Sequence, residues 1–254
     1  MSRRLVAALA CRVQGTRLYG KPLQNLVPGR SILDHILECV AATPEIDAAV
    51  LGISEGIENL PFADVAKRHG AGYILGDQKD VLWRLVQCGR AERATDVFRI
   101  TTECPFTLWE MLHEAWDRHV RNDNDITVVD RLPEGVHFEI YRLEALERSH
   151  REGADGDRSE YASNYARLNQ SRFKVEIILP DETLRRMDLR LTVDYPEDLV
   201  VCRRVYEALA DSGPRIPISN VVEFLDGNRA LVEMLAPYTV AEPLWDQVDQ
   251  RSPA

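Results

Sequence analysis

Leu5-Val6-Ala7-Ala8-Leu9 runs directly into Ala10-Cys11-Arg12-Val13-Gln14-Gly15-Thr16-Arg17-Leu18-Tyr19-Gly20-Lys21-Pro22-Leu23. The first five residues are apolar without alternation, the pattern of a strand buried on both faces. The loop behind them carries Gly15, Gly20, Thr16 and three fixed cations, Arg12, Arg17 and Lys21. Glycines let backbone N–H groups approach a ligand closely, and cations spaced along such a loop neutralise a polyphosphate. Two readings stand at this point, a nucleoside triphosphate site and an ordinary solvated basic loop. The P-loop is excluded: Gly15 and Gly20 have its spacing and Lys21 follows, but Pro22 stands where a Ser or Thr must ligate magnesium. The Gly-x-Gly-x-x-Gly dinucleotide pattern is absent as well.

Working outward, the turn Val27-Pro28-Gly29-Arg30 precedes Ser31, which reads as a helix N-cap with Asp34 three residues on. Ile32, Ile36, Leu37 and Val40 then fall at helical spacing. Ala48 to Ile53 reads as a strand, Leu60 to His69 as a helix closed by Gly70, and Gly72 to Leu75 as the next strand. This β-α-β-α-β alternation predicts a mostly parallel sheet covered by helices, an α/β fold. Asp80 is placed to cap a helix running to about Arg93. Asp96 to Ile100 is a strand, with Thr101-Thr102-Glu103-Cys104-Pro105 just past its end, where open α/β sheets bind ligands. Thr107 reads as the cap of a helix from Leu108 to about Asn122, in which Trp109, Leu112 and Trp116 are core positions. Asp123-Asn124-Asp125 reads as a turn before the strand Ile126 to Val129. In the stretch that follows, His137, Glu139 and Tyr141 share one face if it is extended. Leu143 to Arg151 is expected as a helix, and Lys174 to Leu179 and Leu189 to Asp194 as strands. Pro196 opens a long helix. Two short helices are expected after Gly213, with a loose tail beyond Pro243.

The composition bounds the function. The chain has 254 residues, a net charge of −10 and 45% hydrophobic residues. It is large enough for a substantial core. Its acidic balance argues against a general nucleic-acid binder, so the cations of the first loop stand out. It has no apolar run long enough to span a membrane, and Leu5 to Ala10 is too short for a signal-peptide core. The five cysteines have no metal-ligand spacing and read as reduced thiols of a cytoplasmic protein. Cys11 and Cys104 read as small buried fillers.

The first loop resembles the x-Arg-x-x-Ser/Gly-Thr-Arg-Leu-Pro-Gly-Lys-x-Leu signature of the cytidylyltransferases that make CMP-activated acid sugars, with its nearest likeness in the spore-coat polysaccharide branch; Tyr19 replaces the proline. Arg190-Leu191-Thr192-Val193-Asp194-Tyr195-Pro196-Glu197-Asp198 is similar to that family's Arg-x-Thr-Val-Asp-x-Pro-Glu-Asp. Three other segments carry weaker likeness: Gly76 to Arg84, Arg99 to Pro105 and Pro133 to Phe138 with Glu139. The resemblance covers roughly residues 5 to 210. It implies a Rossmann-like nucleotidyltransferase fold, a mostly parallel mixed sheet flanked by helices, in one domain over 1–254. An acceptor-covering and oligomerising arm would lie around 131–180 and a helical extension over 213–254.

The resemblance also implies roles. Lys21, Arg12 and Asp194 would be catalytic. Ala10, Arg12, Gly15, Thr16, Arg17, Lys21, Asp80, Arg84 and Thr101 would bind the nucleotide, although helix capping and surface charge explain Asp80 and Arg84 equally well. Glu139, His137, Glu160 and Tyr165 would face the acceptor. His137 reads equally as a surface histidine, and Tyr161 stands where the family has histidine. Glu103, where the family has aspartate, and Asp194 would hold Mg²⁺. The implied partners are CTP and a small anionic or sugar acceptor, with no nucleic acid, in a homodimer. The implied reaction is CMP transfer with pyrophosphate release. A sugar-1-phosphate nucleotidyltransferase, a glycosyltransferase on the same sheet and a catalytically inactive nucleotide-binding protein are the alternatives.

Overall fold

A computed structural model describes residues 3–159 and 162–245. In chain order the elements are β1 (Leu5–Cys11), β2 (Asn25–Val27), β3 (Arg30–Ser31), α1 (Ile32–Ala41), β4 (Ala48–Ser54), α2 (Pro61–Arg68), β5 (Gly72–Gly76), α3 (Val81–Ala91) and β6 (Asp96–Arg99). They continue with α4 (Leu112–Arg121), β7 (Ile126–Val129), β8 (Glu139–Arg142), α5 (Leu143–Glu152), α6 (Asn164–Leu168), β9 (Val175–Ile178), α7 (Pro196–Leu209), α8 (Ile218–Gly227) and α9 (Arg229–Leu235). Seven strands form one sheet in the order β5-β4-β1-β6-β8-β7-β9, and β2 and β3 form a separate hairpin. Every pairing in the large sheet is parallel except those of β8, which runs antiparallel to both β6 and β7. The sheet is therefore mixed and mostly parallel, with helices on both faces.

The unalternated run of β1 has a direct structural cause. Leu5, Ala7 and Leu9 pack into a core with Phe62, Leu112 and Val201 from α2, α4 and α7. Val6 and Ala8 pack on the opposite face with Leu82, Leu85 and Val86 of α3. Successive side chains point to opposite faces, and both faces are covered, so every position is apolar. The first helix begins as its sequence predicts. Asp34 N–H donates to the Ser31 hydroxyl at 3.1 Å, and Ser31 N–H donates back to the Asp34 carboxylate at 3.1 Å. Asp34 also binds Arg68 and His69, each at 2.8 Å, and against the upward push of burial these partners hold its carboxyl at about 2.

Several expectations are corrected. Thr107 caps no helix: the chain stays irregular through Leu108, forms a single tight turn at Trp109–Met111, and enters α4 at Leu112. Leu108 N–H instead reaches the Val136 carbonyl at 3.1 Å, drawing this segment under the 130–138 loop. Leu189 to Asp194 is extended but is not a ladder strand. It threads between two loops, with Leu191 N–H on the Glu134 carbonyl (2.7 Å) and Val193 N–H on the Glu103 carbonyl (3.0 Å). The region 131–180 supplies β8 and β9 to the sheet, so only the stretches before, between and after those strands lie outside it. β8 opens at Glu139, which leaves His137 in the preceding loop. The segment beyond Pro243 is not loose as far as it is described: Trp245 is 1% exposed. Among the described residues, no helix is long and apolar enough to cross a membrane.

Candidate active site

The carboxyl ends of β1 and β6, the first loop, the 130–139 loop and the 190–194 segment enclose a cavity of about 1050 Å³. That volume is at the upper end for small-molecule sites and has room for more than one ligand.

The first loop closes on itself. Gly20 N–H reaches the Val13 carbonyl at 2.8 Å, with Gly20 at φ +60°. A Cβ on Gly15 would lie 2.3 Å from the Leu18 carbonyl oxygen, so only glycine permits this fold-back. Asn59 accepts the Val13 N–H at 2.8 Å and anchors the loop base. Arg17 and Lys21 thereby meet Asp194, which is 173 residues from Lys21 in the chain. Lys21 Nζ lies 2.5 Å from Asp194 Oδ1, and Arg17 Nη2 lies 3.4 Å from the same oxygen. The Arg17 guanidinium also sits 4.7 Å over the Tyr195 ring and donates to its hydroxyl at 3.1 Å.

Asp194 itself is fixed from beneath by Arg190. Arg190 Nη2 donates to Asp194 Oδ2 at 3.0 Å, and the same guanidinium forks onto the fully buried Asp198 at 2.8 and 3.1 Å. Asp198 accepts the Asp194 and Tyr195 N–H groups at the start of α7. A further Arg190 bond, to Glu134 at 2.5 Å, ties in the opposite loop. A Cβ on Gly135, at φ +94°, would lie 2.4 Å from Thr192 N, so glycine is required where these segments touch. Burial pushes the Asp194 carboxyl up, but Lys21, Arg17 and Arg190 outweigh it and hold the group below its ordinary value. Glu103 lines the same cavity and shifts the other way. Burial raises it, Asp194 raises it further, and Lys21 offsets part of that rise.

The other half of the cavity is built on β8. Glu139, 2% exposed, has its two oxygens held by Arg99 at 2.6 Å and by the Trp245 indole N–H at 3.0 Å. Buried Asp130 accepts the Leu244 and Trp245 N–H groups at 2.9 and 2.8 Å. The carboxy-terminal segment thus crosses the cavity as a strap, with Val240, Glu242, Pro243 and Leu244 forming part of its wall. His137 lines the cavity 3.7 Å from Asp130. Burial lowers its basicity, although Asp130 and Glu139 pull it back up.

The residues singled out by sequence separate on this geometry. Ala10, Arg12, Gly15, Thr16, Arg17, Lys21, Arg84, Thr101, Glu103, His137, Glu139 and Asp194 all line the one cavity. Asp80 does not. It caps α3 through Trp83 N–H at 2.8 Å and accepts from His150 at 2.7 Å, outside the cavity wall. Arg84 reaches the cavity but is 1% exposed. Its Nη1 bridges the Cys11 and Gly52 carbonyls at 3.1 and 2.5 Å, tying the ends of β1 and β4 together. Tyr165 turns away, its hydroxyl between Glu152 (3.1 Å) and Arg172 (2.7 Å); Ser163 and Arg167 face the cavity in its place. Glu160 lies outside the described residues. Cys11 and Cys104 are buried, and their thiols are pushed up by burial, Cys104 to about 12, which leaves them protonated at neutral pH.

Arg99, Asp130, Arg190 and Trp245 were not predicted. Arg190 had a signal, since it opens the Arg-x-Thr-Val-Asp segment. Arg99 had one of the same kind, since it opens the segment resembling Arg-x-Thr-x-Asp-x-Pro; Asp130 and Trp245 had none, because they and their partners lie far apart in sequence.

The donor set fits a magnesium ion. Among the described residues, no group of three or more His, Cys, Asp or Glu side chains gathers to cage a metal. Mg²⁺, however, is commonly held by one or two carboxylates together with substrate phosphates. Glu103 and Asp194 are two such carboxylates on one cavity, and the charge of Asp194 bears on Glu103.

The sheet order, the mixed pairing and a ligand-sized cavity at the carboxyl ends of the parallel strands define a Rossmann-like α/β fold. A cytidylyltransferase from Leptospira borgpetersenii superposes with a TM-score of 0.83 at 18% identity, covering 91% of this chain and 97% of that one. The CMP:2-keto-3-deoxy-manno-octonic acid synthetase complexed with CTP superposes with a TM-score of 0.60 at 12% identity, over 81% and 99% of the two chains. In sequence, the chain is 24% identical over 225 residues to the spore coat polysaccharide biosynthesis protein SpsF of Bacillus subtilis, covering 87% of this chain and 93% of the relative. No protein-family model matches the chain.

Proposed function

We propose that this protein is a Mg²⁺-dependent cytidylyltransferase that transfers CMP from CTP to an acid sugar or a related small acceptor and releases pyrophosphate, in the biosynthesis of a surface polysaccharide or related glycoconjugate. One observation carries the reading. Two cations of the first loop, Arg17 and Lys21, converge on Asp194 at a cavity that also holds Glu103, and the same cavity continues into a second polar half around Glu139. The sequence likeness to SpsF and the fold likeness to two cytidylyltransferases support it.

In this reading a hydroxyl oxygen of the acceptor attacks the α-phosphorus of CTP and releases its proton to solvent. The bond from that phosphorus to the oxygen bridging to the β-phosphate breaks, and pyrophosphate leaves with the electron pair. The chain's contribution is positioning and charge stabilisation. Arg12, Arg17 and Lys21 hold the triphosphate, and Lys21 steadies the leaving pyrophosphate. Glu103 and Asp194 would hold Mg²⁺, which when bound would neutralise phosphate charge. Arg190 fixes the direction of the Asp194 carboxylate. Arg99 and Trp245 fix Glu139 beside the acceptor.

The test is a thermal-shift screen of CTP, ATP, GTP and UTP with and without Mg²⁺. A ligand that binds only the folded state raises the melting temperature by mass action. CTP with Mg²⁺ is expected to give the largest shift and ATP a small one. Equal shifts from all four would remove the base preference, and no shift from any would remove the nucleotide reading.

A further inference from the structure

In the stretch Asp194-Tyr195-Pro196 the aspartate lines the cavity and the proline opens α7, which leaves the tyrosine between them without a role. Tyr195 is half-buried, and neither it nor Tyr238 lines the cavity, whereas Arg17 does. The Tyr195 backbone is fixed by its N–H bond to Asp198 at 2.9 Å. Its ring is fixed by Tyr238, from the turn after α9: the two rings stack with centroids 4.2 Å apart and planes 20° from parallel. Tyr238 in turn packs against the core, and its carbonyl accepts from Arg190 at 3.3 Å. On this braced ring lies the Arg17 guanidinium, 4.7 Å from the Tyr195 centroid, with a bond of 3.1 Å to the Tyr195 hydroxyl.

Arg17 thus has two partners of different kinds. Asp194 is charged, and Lys21 and Arg190 bind it at 2.5 and 3.0 Å, both closer than Arg17 at 3.4 Å. The carboxylate is therefore the looser hold on Arg17. The Tyr195 ring and hydroxyl are neutral. A carboxylate compensates the charge of a guanidinium, whereas a phenol and an aromatic face hold it in place and leave its charge to act on another anion. The Arg17 side chain is also 46% exposed, so without the ring it would be free to sample many rotamers. A side chain ordered before its ligand arrives loses less freedom on binding it.

We propose that Tyr195 is a positioning residue: it holds the Arg17 guanidinium where the polyphosphate of the nucleotide docks, without touching the nucleotide itself. The proposal rests on the cytidylyltransferase reading only in placing a polyphosphate in the cavity beside Arg17.

The experiment measures binding of CTP and of inorganic tripolyphosphate, each with Mg²⁺, to the full chain by calorimetry. The proteins are wild type, Tyr195→Ala, Tyr195→Phe, Arg17→Ala and each Tyr195 variant combined with Arg17→Ala. Tyr195→Ala should weaken both ligands about fivefold or more, and Tyr195→Phe, which keeps the ring and loses the hydroxyl, should recover part of that loss. In the Arg17→Ala background the same substitutions should change affinity less than about twofold, because the group they act through is gone. A tyrosine that only supports the fold would cost the same in both backgrounds. Equal losses with and without Arg17 overturn the proposal, and so does a Tyr195→Ala protein that binds both ligands as wild type does. If CTP fails to bind while tripolyphosphate still depends on Tyr195 through Arg17, the function reading falls and the positioning role stands. If neither ligand binds, both fall. Should the alanine variant not fold, Tyr195→Phe decides, with its ligand-free melting temperature as control: a loss confined to the background that retains Arg17 supports the proposal, and an equal loss or none overturns it.

Discussion

At Asp194 three cations surround one carboxylate, and Glu103 nearby is left with its charge poorly compensated. These two residues are expected to respond oppositely to pH. The Asp194 carboxyl is depressed in the folded protein. Its contribution to stability is present above the unfolded value near 3.8 and is lost as pH falls through the lower folded value. Glu103 is raised, so its penalty is absent below the unfolded value near 4.5 and grows as pH rises toward the folded value. Glu103→Gln should therefore raise the melting temperature of the ligand-free protein at pH 7 and leave it unchanged near pH 4. A scan at the two pH values checks this, and equal effects at both would show that Glu103 is not ionised against its surroundings. Lys21→Ala should lower turnover by about 100-fold or more, the usual scale for removing a group that stabilises developing charge. Its effect on folding should stay within about 1 kcal/mol, because the pair is partly exposed and Arg17 and Arg190 still hold Asp194. Pyrophosphate release and a urea titration separate the two effects. A large stability loss with turnover intact would make Lys21 structural.

At the scale of elements, local chemistry and tertiary approach act in different places. The start of α1 is local: Ser31 and Asp34 satisfy each other's backbone N–H groups without help from elsewhere. Ser31→Ala should cost about 1 kcal/mol, read as a lowered urea midpoint with an unchanged slope. The seating of α3 on the sheet is not local. A Cβ on Gly52 would meet the Arg84 Cβ at 3.3 Å and the Cys88 Sγ at 3.1 Å, and one on Gly76 would meet the Arg84 Cγ at 2.8 Å. The small residues of β4 and β5 let the helix lie close enough for Arg84 to bridge two strand ends. The sequence leaves Asp80 and Arg84 open between the nucleotide and the capping of a helix; the geometry gives both a share in holding α3, and Arg84 lines the cavity as well.

Across the whole molecule, the strap closes one side of the cavity. Residues 240–245 return from α9 to the cavity, and Trp245 is buried with its ring N–H on Glu139 and its backbone N–H on Asp130. Trp245→Ala is expected to destabilise the protein by about 3–5 kcal/mol, the range for truncating a buried large aromatic. Trp245→Phe should keep most of that stability and lose only the bond to Glu139. Denaturation curves of the two variants check this, and a near-neutral alanine variant would mean that the strap is not docked in solution.

Much of the molecule was legible beforehand. The unalternated run at β1, the strand–helix alternation, the Ser31 cap and Pro196 at the first position of α7 each depend on neighbours within a turn or a strand, so the sequence alone determined them. The first loop was legible as a cationic, glycine-bearing segment. That it meets Asp194 was available only by resemblance. The contacts of Arg190, the docking of Trp245 and the exit of Asp80 and Tyr165 from the cavity were decided by tertiary structure. Each depends on which distant segment approaches a charged or polar side chain, and burial then fixes whether that group must find a partner. Periodicity and spacing report which way a residue points along its own element; they hold no record of what stands opposite it once the sheet has closed.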